Sequence, residues 1–518
     1  MLRAIAVVGA LLLSSTTVAA DEPPVRSQPP VQCYGAPPWW GPGTSTVYLP
    51  NITRRLGGPT GFYTPFIIQN TGATEAQLEV TFYKFSDGIC AEQYLVSNLA
   101  PGRAHSNDPN DDGRNPFLPD AQFSVVVRSF GSTIVGVVNE HQGTGDRAEA
   151  LSYNGFNTGA KTVYLPNIVR KFFGLFDTPF IIQNLGTGIA SVTATFKPFD
   201  GGPSVVVLRT IAEGRAKPID PDSDDPALGA PGLIDNKQYA VTVTSNQDIG
   251  VVVNTQADKA GLEHPLAFAT DGITVGGEAV YGPYAIKTVG EPGANSSIIV
   301  QNLGVAAISP KITFTPLLNH FGTANTYTFP LIQPGSSKPF DARFSFSTQS
   351  TTNVLCTAGG SDCLANGTYS FKIEAPGGKI AAQVNTTTAI SGTGYSTTAS
   401  PATKLYAPNV PKGLCYCPVP NITAGWTGTL YIEPVTATSV TIRWYTVPDG
   451  ALADTQTIPF AIPTTATRVV NGWFMPGLTP DRQYSVVIET TGGTIAAIVL
   501  QYAPGADNSA IYEALAAP

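Results

Sequence analysis

Thr46-Val-Tyr-Leu-Pro-Asn-Ile52 recurs as Thr162-Val-Tyr-Leu-Pro-Asn-Ile168, then as Ala279-Val-Tyr-Gly-Pro283 and as Lys404-Leu-Tyr-Ala-Pro-Asn409. The aligned tyrosines Tyr48, Tyr164, Tyr281 and Tyr406 are 116, 117 and 125 residues apart, a period the size of a small domain. A second anchor follows in the same order: Thr64-Pro-Phe-Ile-Ile-Gln-Asn-Thr-Gly72, Thr178-Pro-Phe-Ile-Ile-Gln-Asn-Leu-Gly186 and Ser297-Ile-Ile-Val-Gln-Asn-Leu-Gly304. A third closes each repeat, at Gly136-Val-Val-Asn139, Gly250-Val-Val-Val-Asn254, Ala382-Gln-Val-Asn385 and Ile498-Val-Leu-Gln501. Three anchors in one order define four tandem modules, of which the fourth is the most diverged.

The local pattern is that of strands. Leu78-Glu-Val-Thr-Phe-Tyr83 and Val192-Thr-Ala-Thr-Phe196 alternate with a period of two, as half-buried strands do. The Asn-x-Gly at 70–72, 184–186 and 302–304 predicts the end of a strand and a tight turn. About seven strands in each repeat give the rhythm of an immunoglobulin-like β-sandwich. The expected organisation is all-β: signal peptide 1–20, Pro-rich leader 21–44, and sandwich modules at 45–157, 158–273, 274–400 and 401–518. Short linkers between rigid modules imply an end-to-end rod.

Composition agrees. Among 518 residues, 13% are charged and 42% apolar, with 52 Gly and 44 Pro, which excludes a long-helix protein and favours short strands and turns. A net charge of −8 offers no basic footprint for nucleic acid or an anionic membrane. Arg3, the apolar run Ala4 to Leu13 and the small residues Val18-Ala-Ala20 read as an export signal, and no later stretch has spanning length. Export makes the six cysteines a pairing problem. Cys356 and Cys363 flank a turn-rich segment and are expected to pair, as are Cys33 in the leader and Cys90 in module 1. Cys415 and Cys417, one residue apart, would be strained as a direct bond.

Candidate sites fall in modules 1 and 2. Asp108, Asn110 and Asp112, with Asp120 beyond, place alternate oxygens on a tight loop as a calcium site requires, and Asp220, Asp222 and Asp224 repeat the pattern. The alternative is a solvated acidic loop. Arg54 and Arg55 with Phe62 and Tyr63, and Arg170 and Lys171 with Phe172, Phe173 and Phe176, combine cations with aromatics. Two readings stand for that segment: a glycan or protein contact patch, or a packed hinge whose basic residues face a neighbouring module's acidic loop. No nucleophile elbow, zinc-helix motif, phosphate loop or dinucleotide fingerprint occurs, so no enzyme is expected, and no cofactor beyond calcium.

The order Tyr-x-Pro, Ile-Gln-Asn-x-Gly, Val-Val-Asn and Ser152-Tyr-Asn-Gly-Phe156 resembles the uncharacterised tandem immunoglobulin-like modules of secreted and surface bacterial proteins. Thr441-Ile-Arg-Trp-Tyr445 in module 4 is similar in phrasing to fibronectin type III. The resemblance implies an exported surface protein, and tandem rigid modules of low charge point to a structural or adhesive role. Its partners would be envelope or extracellular proteins or glycans, with no nucleic acid and no membrane span in the mature chain. A carbohydrate-binding accessory protein using the aromatic segments of modules 1 and 2 is the alternative.

Overall fold

The computed structural model describes residue 33 and residues 40–143, 148–257, 265–288, 293–317, 322–349, 351–356, 360–415, 425–460, 466–504 and 509–518. The expected signal peptide, most of the leader, His264, His320 and Cys417 lie outside the described residues. The chain is all-β and forms four sandwich modules. In module 1 the strands are β1 (Ser45–Arg54), β2 (Phe66–Asn70), β3 (Ala76–Lys84), β4 (Cys90–Leu99), β5 (Ala104–Asn107), β6 (Ala121–Phe130), β7 (Ile134–Gln142) and β8 (Glu149–Asn154). They form two antiparallel sheets, ordered β1-β6-β3-β4 and β5-β2-β7-β8. The module thus has eight strands, one beyond the expected seven. Its first strand pairs with the sixth, whereas the immunoglobulin order pairs the first with the second. Cys33–Cys90 and Cys356–Cys363 are bonded as expected, and Cys415 is also in a disulfide.

Each module repeats this plan around its own apolar core. In module 2 the counterparts of β6 and β7 fuse into one strand, Lys237–Ala257, which crosses from one sheet to the other. The first repeat anchor is a bulge. Pairing of β1 with β6 slips between Leu49 and Ile52, at Pro50-Asn51, and the same slip recurs at the Pro of modules 2, 3 and 4. Proline has no N–H for the ladder, so the irregularity falls there. In three modules a buried tyrosine fills the gap: Tyr153 Oη donates to the Asn51 carbonyl at 2.5 Å, Tyr395 to Tyr284 at 2.6 Å and Tyr512 to Asn409 at 2.6 Å.

The second anchor is a turn clamp. Asn70, Asn184 and Asn302 are fully buried, and each Nδ2 donates to two backbone carbonyls, as Asn70 does to Thr74 and Leu99 at 2.8 and 2.7 Å. Each Oδ1 accepts from the glycine N–H two residues on, at 2.9–3.0 Å.

The modules do not form a rod. The final strand of each, β8 and its counterparts Leu266–Asp271, Gly392–Ser396 and Ser509–Glu513, packs against the next around a common axis, and the fourth packs against the first. Gly394 lies so close to Phe268 of module 2 that a Cβ there would meet the ring at 2.5 Å. The seams repeat. Tyr48 of module 1 donates to the Leu185 carbonyl of module 2 at 3.1 Å, and Tyr406 of module 4 donates to the aligned Thr71 carbonyl of module 1 at 2.8 Å. Ser124 of module 1 donates to Gly214 of module 2 at 3.1 Å, and Ser485 of module 4 to Gly102 of module 1 at 2.8 Å. Lys197 of module 2 donates to Pro334 of module 3 at 2.7 Å, and the Tyr284 and Tyr431 rings meet at 4.8 Å across the third seam. The rod expectation fails because the last strand of each module is buried on both faces, the second face being covered by other modules.

One substitution within the repeat has an energetic consequence. Gln69, Gln183 and Gln301 are fully buried, and Gln183 and Gln301 donate across a seam to the Val125 and Val241 carbonyls at 3.3 and 3.5 Å. Glu433 takes that register position in module 4. Burial pushes its carboxyl from the ordinary 4.5 up to about 8, against the pull of Lys372. A raised folded value means the fold holds a proton that the unfolded chain has released. The associated stability is full below pH 4.5 and is lost as the pH rises through about 8. Glu433→Gln restores the neutral amide donor. Thermal melts should therefore give a variant more stable than the parent at pH 8, by on the order of 2 kcal/mol, and nearly equal to it at pH 5. A variant no more stable at pH 8 would contradict the buried, neutral acid.

Candidate functional site

The acidic loop and the basic segment turn out to be partners within the same module. Arg54 ends β1 and is 7% exposed. Its Nη1 donates to the Asn115 carbonyl at 2.9 Å, its Nε lies 3.2 Å from Asp120, and its Nη2 pairs with Asp112. Arg55 reaches the same two carboxylates at 3.7 and 3.6 Å. In module 2, Arg170 donates to the Pro221 carbonyl at 2.9 Å and pairs with Asp224 at 3.1 Å and Asp235 at 2.6 Å. Lys171 pairs with Asp222 at 2.8 Å. The basic residues therefore face their own module's loop, not a neighbour's.

This arrangement gives the acidic loops partners other than calcium. Asp112, Asp120, Asp222 and Asp224 point at guanidinium and ammonium groups, which supply the positive charge the loop needs. Asp108 and Asp220 each accept the N–H two residues on, from Asn110 at 2.9 Å and Asp222 at 3.0 Å, and burial raises both carboxyls. Among the described residues no group of three or more His, Cys, Asp or Glu is placed to hold a metal ion. The pattern of alternate acids fits a turn closed on an arginine as well as a calcium loop, and sequence spacing does not separate the two.

Modules 3 and 4 keep the pin in another form that sequence reading missed. Lys287 and Lys412, each at the end of its module's first strand, are 3% and 6% exposed. Lys287 Nζ donates to the Leu364 carbonyl at 2.5 Å, and Lys412 Nζ to Met475 and Leu478 at 2.6 and 2.8 Å. Arg54, Arg170, Lys287 and Lys412 are 116, 117 and 125 residues apart, the spacing of the motif tyrosines. That shared period was the available signal. Each loop is tied down by a buried cation reaching backbone oxygens, whether or not acids are present.

The aromatic residues divide between local packing and two grooves. Phe62 pairs with Leu56 through the backbone and closes the turn after β1. Phe172 and Phe173 meet at 4.2 Å, Phe172 pairs with Phe176, and Phe173 is 66% exposed. All three line a cavity of about 350 Å³ between modules 2 and 3, whose far wall carries Asp341, Arg343, Phe344 and Asn385. Arg343 forks onto Asp341 at 3.0 and 2.6 Å, so this wall carries a neutralised charge. The groove between modules 4 and 1, about 610 Å³, is lined by Tyr63, His141 and Trp426, together with Asp108 and Arg114. His141 stacks on Tyr63 at 5.4 Å and meets Trp426 edge-on at 5.4 Å, and burial pushes it down to about 4. His105, beside Tyr94 at 3.2 Å, is likewise pushed down to about 4. The two grooves lie on opposite sides of the ring.

Comparison with known proteins adds little. No protein-family model matches the chain, and no curated protein matches it. Among solved structures, one described as the crystal structure of Thermotoga maritima 1070 is similar at 18% identity, covering 22% of this chain and 94% of that chain, with a TM-score of 0.19.

Arg170→Met removes the bonds to Pro221, Asp224 and Asp235 and should lower stability by about 1–3 kcal/mol in thermal or denaturant melts. The parent's melting temperature should be the same in calcium and in chelator. A rise with calcium would contradict the assignment of these carboxylates to the cationic side chains.

Proposed function

We propose that the chain is an exported, non-catalytic structural or adhesive protein whose four sandwiches act as one rigid ring presenting two opposed contact grooves. The observation that carries this reading is ring closure, with the same seam contacts made by module 1 on module 2 and by module 4 on module 1. Closure fixes the distance and orientation between grooves, which a flexible tandem array would leave free. The disulfides suit an oxidising, extracytoplasmic location, and no helix among the described residues is long and apolar enough to cross a membrane. Both described histidines are held neutral beside aromatic rings, which suits packing better than proton transfer at neutral pH.

A glycan-binding role is the second reading. It is favoured by Phe172, Phe173 and Phe176 standing across a groove from Asn385 and Gln349, since sugars offer apolar faces and hydroxyl edges together. Retention of the full chain on purified cell envelopes, alongside a glycan array, tests both. The expected result is envelope binding reduced severalfold by Phe173→Ser. Binding unchanged by that variant would remove the module 2–3 groove as the contact, and no retention on envelopes would remove the adhesive reading.

A further inference from the structure

Val137, Asn139 and His141 alternate along β7 and so face the same way, towards module 4. Val137 is buried in the module 4 core, whereas Asn139 and His141 line the groove of about 610 Å³, as does Trp426 at the head of the strand Trp426–Pro434. Asn139 is 6% exposed. Its Oδ1 accepts from Ser152 Oγ at 2.6 Å, and its Nδ2 has no partner among the described residues.

The module 1–2 seam shows why that donor is left over. Phe66 pairs with Val138 and Phe180 with Val253, so Asn254 is the module 2 counterpart of Asn139. Asn254 Nδ2 donates across the seam to Glu140 Oε2 at 3.2 Å, and the same oxygen accepts from Asn51 Nδ2 at 3.0 Å. A carboxyl oxygen has lone pairs for both. At the module 4–1 seam Gln501 stands in the place of Glu140, and Asn409 in that of Asn51. Both ends of Gln501 are taken by Asn409, its Nε2 donating to the carbonyl at 3.1 Å and its Oε1 accepting from Nδ2 at 3.4 Å. Asn139 therefore lacks the seam partner that Asn254 has. The ring nitrogens of His141 and Nε1 of Trp426 likewise make no hydrogen bond among the described residues.

Unsatisfied polar groups beside the rings of Tyr63, His141 and Trp426 suit a ligand with hydroxyl edges and an apolar face. A nearly buried donor without a partner is costly, and a ligand hydroxyl would satisfy it. The charged residues of the lining are Asp108, Asp111 and Arg114, and Arg114 pairs with Asp111 at 3.4 Å. The surplus is one acid, which disfavours an anionic ligand. β2, β7 and Trp426–Pro434 are each paired along both edges, so these walls offer no free backbone row to an extended peptide.

We propose that the groove between modules 4 and 1 binds a short uncharged oligosaccharide, one sugar ring packed against Trp426 and its hydroxyls bonded to Asn139 Nδ2 and the His141 ring. The proposal rests on the closed ring, since the groove exists only where module 4 meets module 1. It is independent of what the module 2–3 groove binds.

Calorimetric titration of the full chain with maltotriose, cellotriose, laminaritriose, mannotriose and N-acetylated chitotriose, and with trigalacturonate as the anionic control, tests this. Saturable binding of at least one uncharged trisaccharide is expected, and none of trigalacturonate. Trp426→Ala should weaken binding at least about tenfold, and Asn139→Ala by about three- to tenfold. No binding of any uncharged trisaccharide at up to about 10 mM, or preference for trigalacturonate, would overturn the assignment. So would binding lost in Phe173→Ser but kept in Trp426→Ala, which would place the sugar in the module 2–3 groove instead. Envelope retention lost in Trp426→Ala without saccharide binding would make this groove a protein contact, and also overturns it. An extended scattering profile would remove the groove itself, so failure of the ring and failure of the sugar site are read apart. Should Trp426→Ala fail to fold, Asn139→Ala decides, and undiminished binding in it would overturn the assignment.

Discussion

Burial of the last strand of each module on both of its faces is the constraint from which the rest of the architecture follows. Tyr153, Leu151 and their neighbours on β8 are buried, and the same holds along Leu266–Asp271, Gly392–Ser396 and Ser509–Glu513. One face of each strand completes its own sandwich. The other needs a cover, and four such strands around one axis cover each other without leaving an open end. A rod would leave the outer faces of the first and last modules in water, at a cost of about 25 cal/mol for each Å² of apolar surface exposed.

Closure also explains which residues repeat. Tyr48 and Tyr406 reach the carbonyl inside the next module's Asn-x-Gly turn, so the two strongest sequence anchors meet across the seams. Module cores merge there as well: Ile67 and Val137 of module 1 belong to the core of module 4, and Tyr431 of module 4 to that of module 3. The loops between strands are restrained separately, by a cation at the end of each first strand. Rigid seams and pinned loops together hold the two grooves in fixed positions on a stiff ring.

Much of the fold was legible in the sequence, because β-periodicity and turn chemistry are local. The four modules, their strands, the Asn-x-Gly turns and two disulfides could be read from residue pattern alone. Ring closure could not, since a strand buried on both faces reads the same whether its second cover is a neighbour in sequence or the far end of the chain. The candidate sites were half legible. Arg54, Arg55, Arg170 and Lys171, and the acids Asp112, Asp120, Asp222 and Asp224, were each singled out, but as two separate features. Their pairing depends on the loop folding back over the end of the first strand, which spacing does not encode. Lys287 and Lys412 were overlooked because a cation bonded to carbonyls needs no acidic loop to announce it. Asn139 and Trp426 lie in modules 1 and 4, and only the ring brings them to one groove.

Small-angle X-ray scattering of the purified chain tests ring closure most directly. The closed ring predicts a compact profile with a radius of gyration of about 23–25 Å, the value for a globular chain of this length. A radius of roughly 40 Å, as four modules about 34 Å across would give end to end, would contradict it.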